Sequence, residues 1–355
     1  MTVNKDIDNM LMAIKQCRPI NELDFSSTDL SSLELSDGVF HKVNFSNATL
    51  DLSKLHNSTF VDCDFSKCRF KGSDLYKTSF TQCQFNTCLF NSIAFTEVVF
   101  MKCDLTHVQL YDVEFQRCHI VQSDLLNTLF SNVCLDSTAL TENNIEGAHF
   151  NGGKYSNVAW ANADFTGCTF DIQQLEQVAF IGCVIKAWDM RSAQLIRCNF
   201  SQSSVVSSDF SNANLMQCLF IKSVLDCCDF SKTALDQSLF TNAELTVTHF
   251  NGASMTFSNF DNVKIDQCEF TKCALTNSSF QKAKINQSRF SQVSLENTNF
   301  SHASFNDCNL ENVSFDYANL HATKAENTKA KGMSFSQLNE ERARSEKIFI
   351  QRKGF

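Results

Sequence analysis

The stretch FSQSSVVSSDFSNANLMQCLF, residues 200–220, places an apolar side chain at every fifth position. The same count continues in both directions, from Phe25 to Leu320, through sixty consecutive apolar positions without an insertion or a deletion. A helix repeats near 3.6 residues and a strand repeats at 2, so a strict period of five fits neither as a continuous element. The sequence therefore predicts a chain that turns after every five residues.

Each five-residue unit has the same internal order, as in SNANL (211–215) and DYANL (316–320). A small residue stands two positions before the apolar centre, and Asp or Asn stands directly before it. In this pattern the chain resembles the pentapeptide-repeat family from Phe25 through Leu320. The resemblance implies an all-β solenoid, a right-handed quadrilateral β-helix in which four pentapeptides make one square coil and each centre points to the axis. Sixty centres then imply about 15 coils.

Phenylalanine supplies most of these centres. Of the 34 phenylalanines, 30 occupy centres within the run. Between Phe200 and Phe300 they alternate with aliphatic centres, which in a four-sided coil predicts phenylalanine on two opposite sides. Large rings set against smaller side chains fill a narrow interior without voids.

Cysteine follows the same period. Of 17 cysteines, only Cys17, Cys134 and Cys227 lie outside the small-residue position two before a centre. Stacked coils would bring some of the others within disulfide range, so a redox or metal role stays open beside simple packing. An odd count that follows the core position favours packing in a reducing compartment.

The two ends depart from the period. Apolar residues between positions 7 and 14 recur at helical spacing, which predicts a short amphipathic helix over about residues 5–17 that covers the first coil. A solenoid needs such a cap because its terminal strands expose unpaired backbone. We expect three segments: a capping helix at 1–20, the repeat β-helix at 21–335, and a C-terminal helix and tail at 336–355.

The C-terminal segment has two interpretations. Residues 337–347 are predicted to form a helix, with acidic residues early and basic residues late. Ile348, Phe349 and Ile350 follow it, beside several basic side chains. The segment is either a cap on the last coil or an exposed docking tail through which the protein forms a homodimer.

Residues 143–190 contain the poorest fits to the repeat. Asn143, Gln173 and Trp188 occupy positions that elsewhere hold small residues. The cross-section must therefore swell, bend or turn a side chain outward in this stretch. One interpretation is a local packing adjustment.

The other interpretation is a recognition surface, because exposed aromatic side chains often anchor partners. Its candidate residues are Tyr155, Trp160 and Trp188. Phe257, at an outward position, is a further candidate, and the C-terminal Ile348, Phe349 and Ile350 complete the set.

The charge pattern bears on the partner. Residues 21–320 hold 33 acidic and 19 basic residues, a net charge of −14, so we expect no direct binding of nucleic acid. Some family members are acidic rods that resemble B-form DNA and engage DNA gyrase or topoisomerase IV, and this chain is similar in repeat type and sign of charge. Its unbroken register lacks the protective loops of the plasmid-borne resistance members.

We therefore predict a non-enzymatic protein-interaction scaffold. Its resemblance to accessory proteins and delivered effectors implies a bacterial secretion system, such as type VI, as one setting. The acidic DNA mimic that binds gyrase or topoisomerase IV is the alternative.

No catalytic, cofactor or metal site is predicted. The eight histidines all fall at outward positions, and neither GxxxxGK[ST] nor GxGxxG occurs. A coil filled by phenylalanine leaves no cleft for a substrate. The first twenty residues lack the long apolar run and the cleavage site of a secretory peptide, and no apolar run elsewhere is long enough to span a membrane. We therefore expect a cytoplasmic protein, with secretion by a route that needs no cleaved peptide left open.

Overall fold

A computed structural model describes residues 2–331. The predicted C-terminal helix, with Ile348, Phe349 and Ile350, lies outside the described residues. The chain divides into two compact units, residues 1–174 and 175–355. Each consists of short parallel strands that pair with strands 20 residues away, as in Phe40 with Phe60 and Ile265 with Ile285.

A spacing of 20 residues means that four pentapeptides make one coil. The result is a parallel β-solenoid of about 15 turns, which confirms the predicted fold class. Every centre from Phe25 to Leu320 is buried.

Unit 1 begins with a helix and continues with three-residue strands and isolated bridges. Its elements are α1 (Thr2–Lys15), β1 (Ile20–Asn21), β2 (Val39–His41), β3 (Thr59–Val61), β4 (Arg69–Lys71), β5 (Ser79–Thr81), β6 (Leu89–Asn91), β7 (Ala94–Thr96), β8 (Val99–Met101), β9 (Gln109–Tyr111), β10 (Glu114–Gln116), β11 (His119–Val121), β12 (Leu129–Ser131), β13 (Cys134–Asp136), β14 (Ala139–Thr141), β15 (His149–Asn151), β16 (Tyr155–Ser156), β17 (Ala159–Ala161) and β18 (Thr169–Asp171). They form three parallel sheets, in the orders β1-β2-β3-β5-β8-β11-β14-β17, β4-β6-β9-β12-β15-β18 and β7-β10-β13-β16.

Unit 2 repeats the arrangement. Its strands, with β19 at the division between the units, are β19 (Gln174–Glu176), β20 (Ala179–Ile181), β21 (Val184–Lys186), β22 (Gln194–Ile196), β23 (Ser204–Val206), β24 (Val224–Asp226), β25 (Glu244–Thr246), β26 (Lys264–Asp266), β27 (Glu269–Thr271), β28 (Lys284–Asn286), β29 (Arg289–Ser291), β30 (Ser304–Asn306), β31 (Asn309–Glu311), β32 (Lys324–Glu326) and β33 (Lys329–Lys331). Two parallel sheets run in the orders β21-β23-β24-β25-β26-β28-β30-β32 and β27-β29-β31-β33.

The turns explain the polar residues of the repeat. The residue two after most centres, here called the corner residue, has a left-handed backbone, as in Asn47 (φ 60°) and Gly72 (φ 64°). Glycine and asparagine adopt this conformation most readily. The residue before the centre supports the turn: Asp64 Oδ1 accepts a hydrogen bond from the Ser66 N–H at 2.8 Å. Asp and Asn are favoured there because they make this bond.

The phenylalanine columns are as predicted. In unit 2, Phe220 stacks on Phe200 and Phe240 with ring centroids 5.2 and 4.8 Å away. A second column runs through Phe230 and Phe250, whose centroids are 5.3 Å apart. Rings of the two columns meet edge to face, with 5.8 Å between the centroids of Phe220 and Phe230.

Cysteine packs in the core as the period predicts. Thirteen of the fourteen cysteines at the small-residue position are buried and Cys168 is half-buried, whereas Cys17, Cys134 and Cys227 are exposed. Buried thiols donate to main-chain oxygens of the preceding coil, as from Cys68 Sγ to the Phe45 oxygen at 2.8 Å.

Helix α1 starts at Thr2, three residues before the predicted start at residue 5, and it ends at Lys15, two residues before the predicted end at residue 17. Cys17 terminates it in the left-handed conformation (φ 51°), and the Cys17 N–H donates to the Ile14 oxygen at 2.8 Å. Met10 is fully buried, and the helix contacts β1.

Candidate functional site

Three of the predicted partner-binding residues are buried. Tyr155, Trp160 and Trp188 are 0, 1 and 3% exposed, which contradicts the exposure that a recognition surface would require of them. Tyr155 and Trp160 are centres, and the Trp160 ring packs edge to face on Phe150 at 5.4 Å. Trp188 occupies an inward position and packs on Phe180 at 5.3 Å.

Phe257 is exposed as predicted. It is a corner residue with φ 58°, and 62% of its surface is accessible. A bulky side chain in the left-handed conformation is unusual and costs conformational energy. Neither the turn nor the core therefore accounts for phenylalanine at this position.

Corner residues spaced 20 apart form a column around Phe257. The Phe257 column comprises Arg197, Gln217, Gln237, Phe257, Asn277, Asn297 and Tyr317. Arg197 Nε donates to Gln217 Oε1 at 2.9 Å, and Gln217 Nε2 donates to Gln237 Oε1 at 2.9 Å. Tyr317 is 54% exposed. The column thus presents two aromatic rings, about 14 Å apart at the usual strand spacing, among amide side chains.

Unit 1 contains an interruption of the hydrogen-bond ladder. Leu125 N donates to the Asn144 oxygen at 2.7 Å, as the register requires. Within the described residues, the next equivalent bond, from Ile145 N to the Asp164 oxygen, is not formed. The adjacent sides remain paired, through Leu140 with Trp160 and Phe150 with Phe170.

A groove of about 430 Å³ lies at this interruption. Its walls are residues 143–146 on one coil and Asn162, Asp164 and Thr166 on the next. We call it the open-ladder groove. The coil below it has Tyr155 and Trp160 among its centres, whereas the coil above has Leu135 and Leu140 in their place. The larger side chains of the lower coil are a physical reason for the separation.

Gln173 shows a second distortion within the irregular stretch. Its side chain is exposed, while Ile172, at the corner position, is fully buried in its place. Burying the isoleucine avoids burying an amide. Of the three distortions expected between residues 143 and 190, swelling, bending or an outward side chain, the last is found at Gln173.

One polar cluster was missed from the sequence. Ser36 Oγ lies 2.9 Å from His56 Nδ1, and Asp74 Oδ2 lies 3.6 Å from the same nitrogen. Ser36 also donates to Glu34. In a Ser-His-Asp triad the serine and the carboxylate approach opposite ring nitrogens, so this cluster does not have that geometry. The 20-residue spacing of Ser36 and His56 was the signal that they would meet.

Neither a metal cluster nor a membrane-spanning helix is found in the described chain. Within residues 2–331, no group of three or more His, Cys, Asp or Glu side chains is arranged to hold a metal ion. No helix in that range has the length and hydropathy needed to cross a bilayer.

The period, the 20-residue pairing and the buried centres define a pentapeptide-repeat solenoid. A family model described as "Pentapeptide repeat region" matches residues 263–339, and one described as "Pentapeptide repeats (8 copies)" matches residues 53–91, 193–233 and 228–265. The chain belongs to the pentapeptide-repeat family. None of the curated proteins compared with the chain matches it.

Several solved structures are similar in fold. A trypsin-treated variant of QnrB1, a plasmid-mediated fluoroquinolone resistance protein, is 14% identical and covers 67% of this chain and 96% of its own, with a TM-score of 0.31. HetL, involved in heterocyst differentiation regulation in the cyanobacterium Nostoc sp., is 13% identical and covers 92% of this chain and 95% of its own, with a TM-score of 0.16. A pentapeptide repeat protein of the Arabidopsis thaliana thylakoid lumen is 17% identical and covers 33% of this chain and 67% of its own, with a TM-score of 0.17. Such low identities and TM-scores carry no argument about function.

Proposed function

We propose that the chain is a non-enzymatic protein-binding scaffold and that the Phe257 column is its main contact surface. The observation that carries this proposal is the exposure of Phe257 in a backbone conformation that disfavours bulky side chains. Large aromatic side chains are enriched at protein interfaces, where they contribute much of the binding energy. The amides of Gln237 and Asn277 next to the ring supply hydrogen-bonding groups for the rim of such a contact.

Site-specific photocrosslinking tests this proposal. We would replace Phe257 by a photoreactive phenylalanine analogue in the full chain, irradiate it in an extract of the source cells and identify the products by mass spectrometry. Asn297, in the same column two coils away, is the matched control position. We expect a discrete crosslinked product from position 257. Unlabelled protein should compete this product away, whereas the Phe257→Ser variant should not. Equal products from both positions would contradict the proposal.

The family resemblance extends the proposal to a setting. Pentapeptide-repeat proteins without a catalytic domain include accessory proteins of secretion systems such as type VI, and we propose such a system as the source of the partner. Identification of the crosslinked protein tests this part separately. A partner from unrelated machinery would overturn the setting but leave the scaffold.

The C-terminal segment is proposed as a dimerisation tail. The motivating feature is Ile348, Phe349 and Ile350 beside basic side chains. Deleting residues 337–355 and measuring the mass by light scattering gives the test. Loss of a dimer supports the tail, whereas a full-length monomer contradicts it.

The second candidate function is an acidic DNA mimic that binds gyrase or topoisomerase IV. The net charge of −14 over residues 21–320 favours it. Ion pairs oppose it, because basic neighbours offset several carboxylates: Asp51 lies 2.8 Å from Arg69, and Glu97 lies 3.2 Å from Arg117. A gyrase supercoiling assay tests this candidate. If the protein leaves supercoiling unchanged at a roughly micromolar concentration, which would saturate a complex of moderate affinity, the candidate is removed.

A further inference from the structure

We propose that the open-ladder groove binds an extended peptide segment with basic side chains, which adds one strand between the two coils. The inference rests on the proposed function as a protein-binding scaffold and names a second site and the chemistry of its ligand. Three features support it: unpaired main-chain groups, a preformed wall and uncompensated negative charge.

Main-chain groups at the groove are those that a strand would pair. In the preceding coil, the N–H groups of Leu125 and Asn127 donate to the Asn144 and Glu146 oxygens at 2.7 and 2.9 Å. Within the described residues, the equivalent N–H groups of Ile145 and Gly147 have no main-chain acceptor in the coil below. Unpaired parallel edges of this kind accept an extended peptide by β-strand addition.

Asn143 holds the upper wall of the groove in place. Its Nδ2 donates to the Ile120 oxygen at 2.8 Å, and its Oδ1 accepts from the Ser123 N–H at 2.9 Å. Both contacts tie it to the coil above rather than to the coil below. The wall is therefore formed before a ligand arrives, which lowers the ordering cost of binding.

The charge of the groove selects a basic ligand. Glu146 and Asp164 are exposed at its walls, and none of the lining residues is basic. Within residues 2–331, neither carboxylate forms an ion pair. Asp164 Oδ1 accepts from the Thr166 N–H at 2.8 Å, which leaves Oδ2 to face a ligand.

The repeat also defines the order of side chains in the ligand. Side chains alternate between the two faces of a strand. The middle residue of an added strand would face Ile145, which lines the groove, and its two neighbours would point outward beside Asp164 and Glu146. The ligand therefore has an apolar residue between two basic residues.

Fluorescence polarisation with the full-length protein tests the site. The probe is a labelled peptide of sequence Ser-Lys-Val-Lys-Ser, and the controls are the same peptide with an N-methylated valine and the peptide Ser-Glu-Val-Glu-Ser. We expect the N-methyl group to weaken binding about tenfold, because it removes one main-chain donor. The Glu-containing peptide should not bind.

Protein variants complete the test. Combining Glu146→Gln with Asp164→Asn should weaken binding of the lysine peptide about tenfold or more, since it removes both charges and keeps the side-chain shapes. Asp229→Asn is the control. Asp229 Oδ1 supports an equivalent turn, since it accepts a hydrogen bond from the Ser231 N–H at 2.8 Å. The ladder is intact there, because Phe230 N donates to the His249 oxygen at 2.7 Å.

Equal binding of the methylated and unmodified peptides, or an unchanged affinity of the double variant, would overturn the proposal. Hydrogen exchange of the main-chain amides in residues 143–147 gives a further check. If calcium slows this exchange and the lysine peptide does not, the groove takes a cation and the proposal is overturned. If these tests fail while position 257 still crosslinks its partner, the groove is rejected and the proposed function stands.

Discussion

At the scale of single residues, position relative to the centre decides whether a side chain is core or surface. The period predicts the buried phenylalanines and cysteines because each assignment is repeated in every coil. It does not predict that Ile172 replaces Gln173 in the core, because the choice depends on which of two neighbours is less costly to bury. It does predict that Tyr155 and Trp160 point inward, because both are centres, but it does not predict how the coil accommodates rings of this size.

Thiol reactivity should follow this division. Burial raises the pKa of the Cys118 thiol to about 11 and that of Cys273 to about 12, which keeps both protonated at neutral pH. We expect a maleimide to label Cys17, Cys134 and Cys227 within minutes in the native protein and Cys168 more slowly. Mass spectrometry of the digested product measures this, with unfolded protein as the control that labels fully. Rapid native labelling of the Cys118 thiol would show that the core assignment is wrong.

Truncation of a stacked ring should be costly. Phe220→Ala removes a fully buried ring between Phe200 and Phe240 and should lower the free energy of unfolding by about 3–5 kcal/mol. Phe257→Ser is the matched control and should change it by less than about 0.5 kcal/mol, since that ring is in solvent. Chemical denaturation compares the two variants. Similar losses for both would be inconsistent with the assignment of either ring.

At the scale of the repeat element, the turn and the strand have separate determinants. The turn depends on a local bond from the residue before the centre, which the sequence shows directly as Asp or Asn. The strand ladder depends on the fit between successive coils. The open-ladder groove could not be predicted in detail, because it reflects the combined volume of centres such as Tyr155 and Trp160 against the smaller centres above them.

Acid should weaken the first turns. A hydrogen bond from the Ser26 main chain lowers the pKa of Asp24 from its ordinary value of 3.8, and one from the Ser31 hydroxyl lowers that of Asp29. Because the folded pKa lies below the unfolded one, this stabilisation is present above about pH 4 and is lost as pH falls through the folded value. Denaturation midpoints at pH 7 and pH 3 measure it. A variant with Asp24→Asn and Asp29→Asn should lose less on acidification, and an identical loss would contradict the account.

At the scale of the whole molecule, the period determines the architecture and leaves the function to its exceptions. Family and fold were predictable because sixty centres report the same structure. The site was predictable only at Phe257, where an apolar residue falls outside the period. The 20-residue spacing of Ser36 and His56 indicates their contact from the sequence, whereas the groove beside the Glu146 and Asp164 carboxylates required the structure.

Hydroxyl-radical footprinting of the full-length protein reports the accessibility of each phenylalanine in one experiment. We expect rapid oxidation of Phe257 and protection of the thirty phenylalanine centres between Phe25 and Phe315. Protection of Phe257 at the level of Phe260, or rapid oxidation of the centres, would contradict the division into a periodic core and an exposed binding residue.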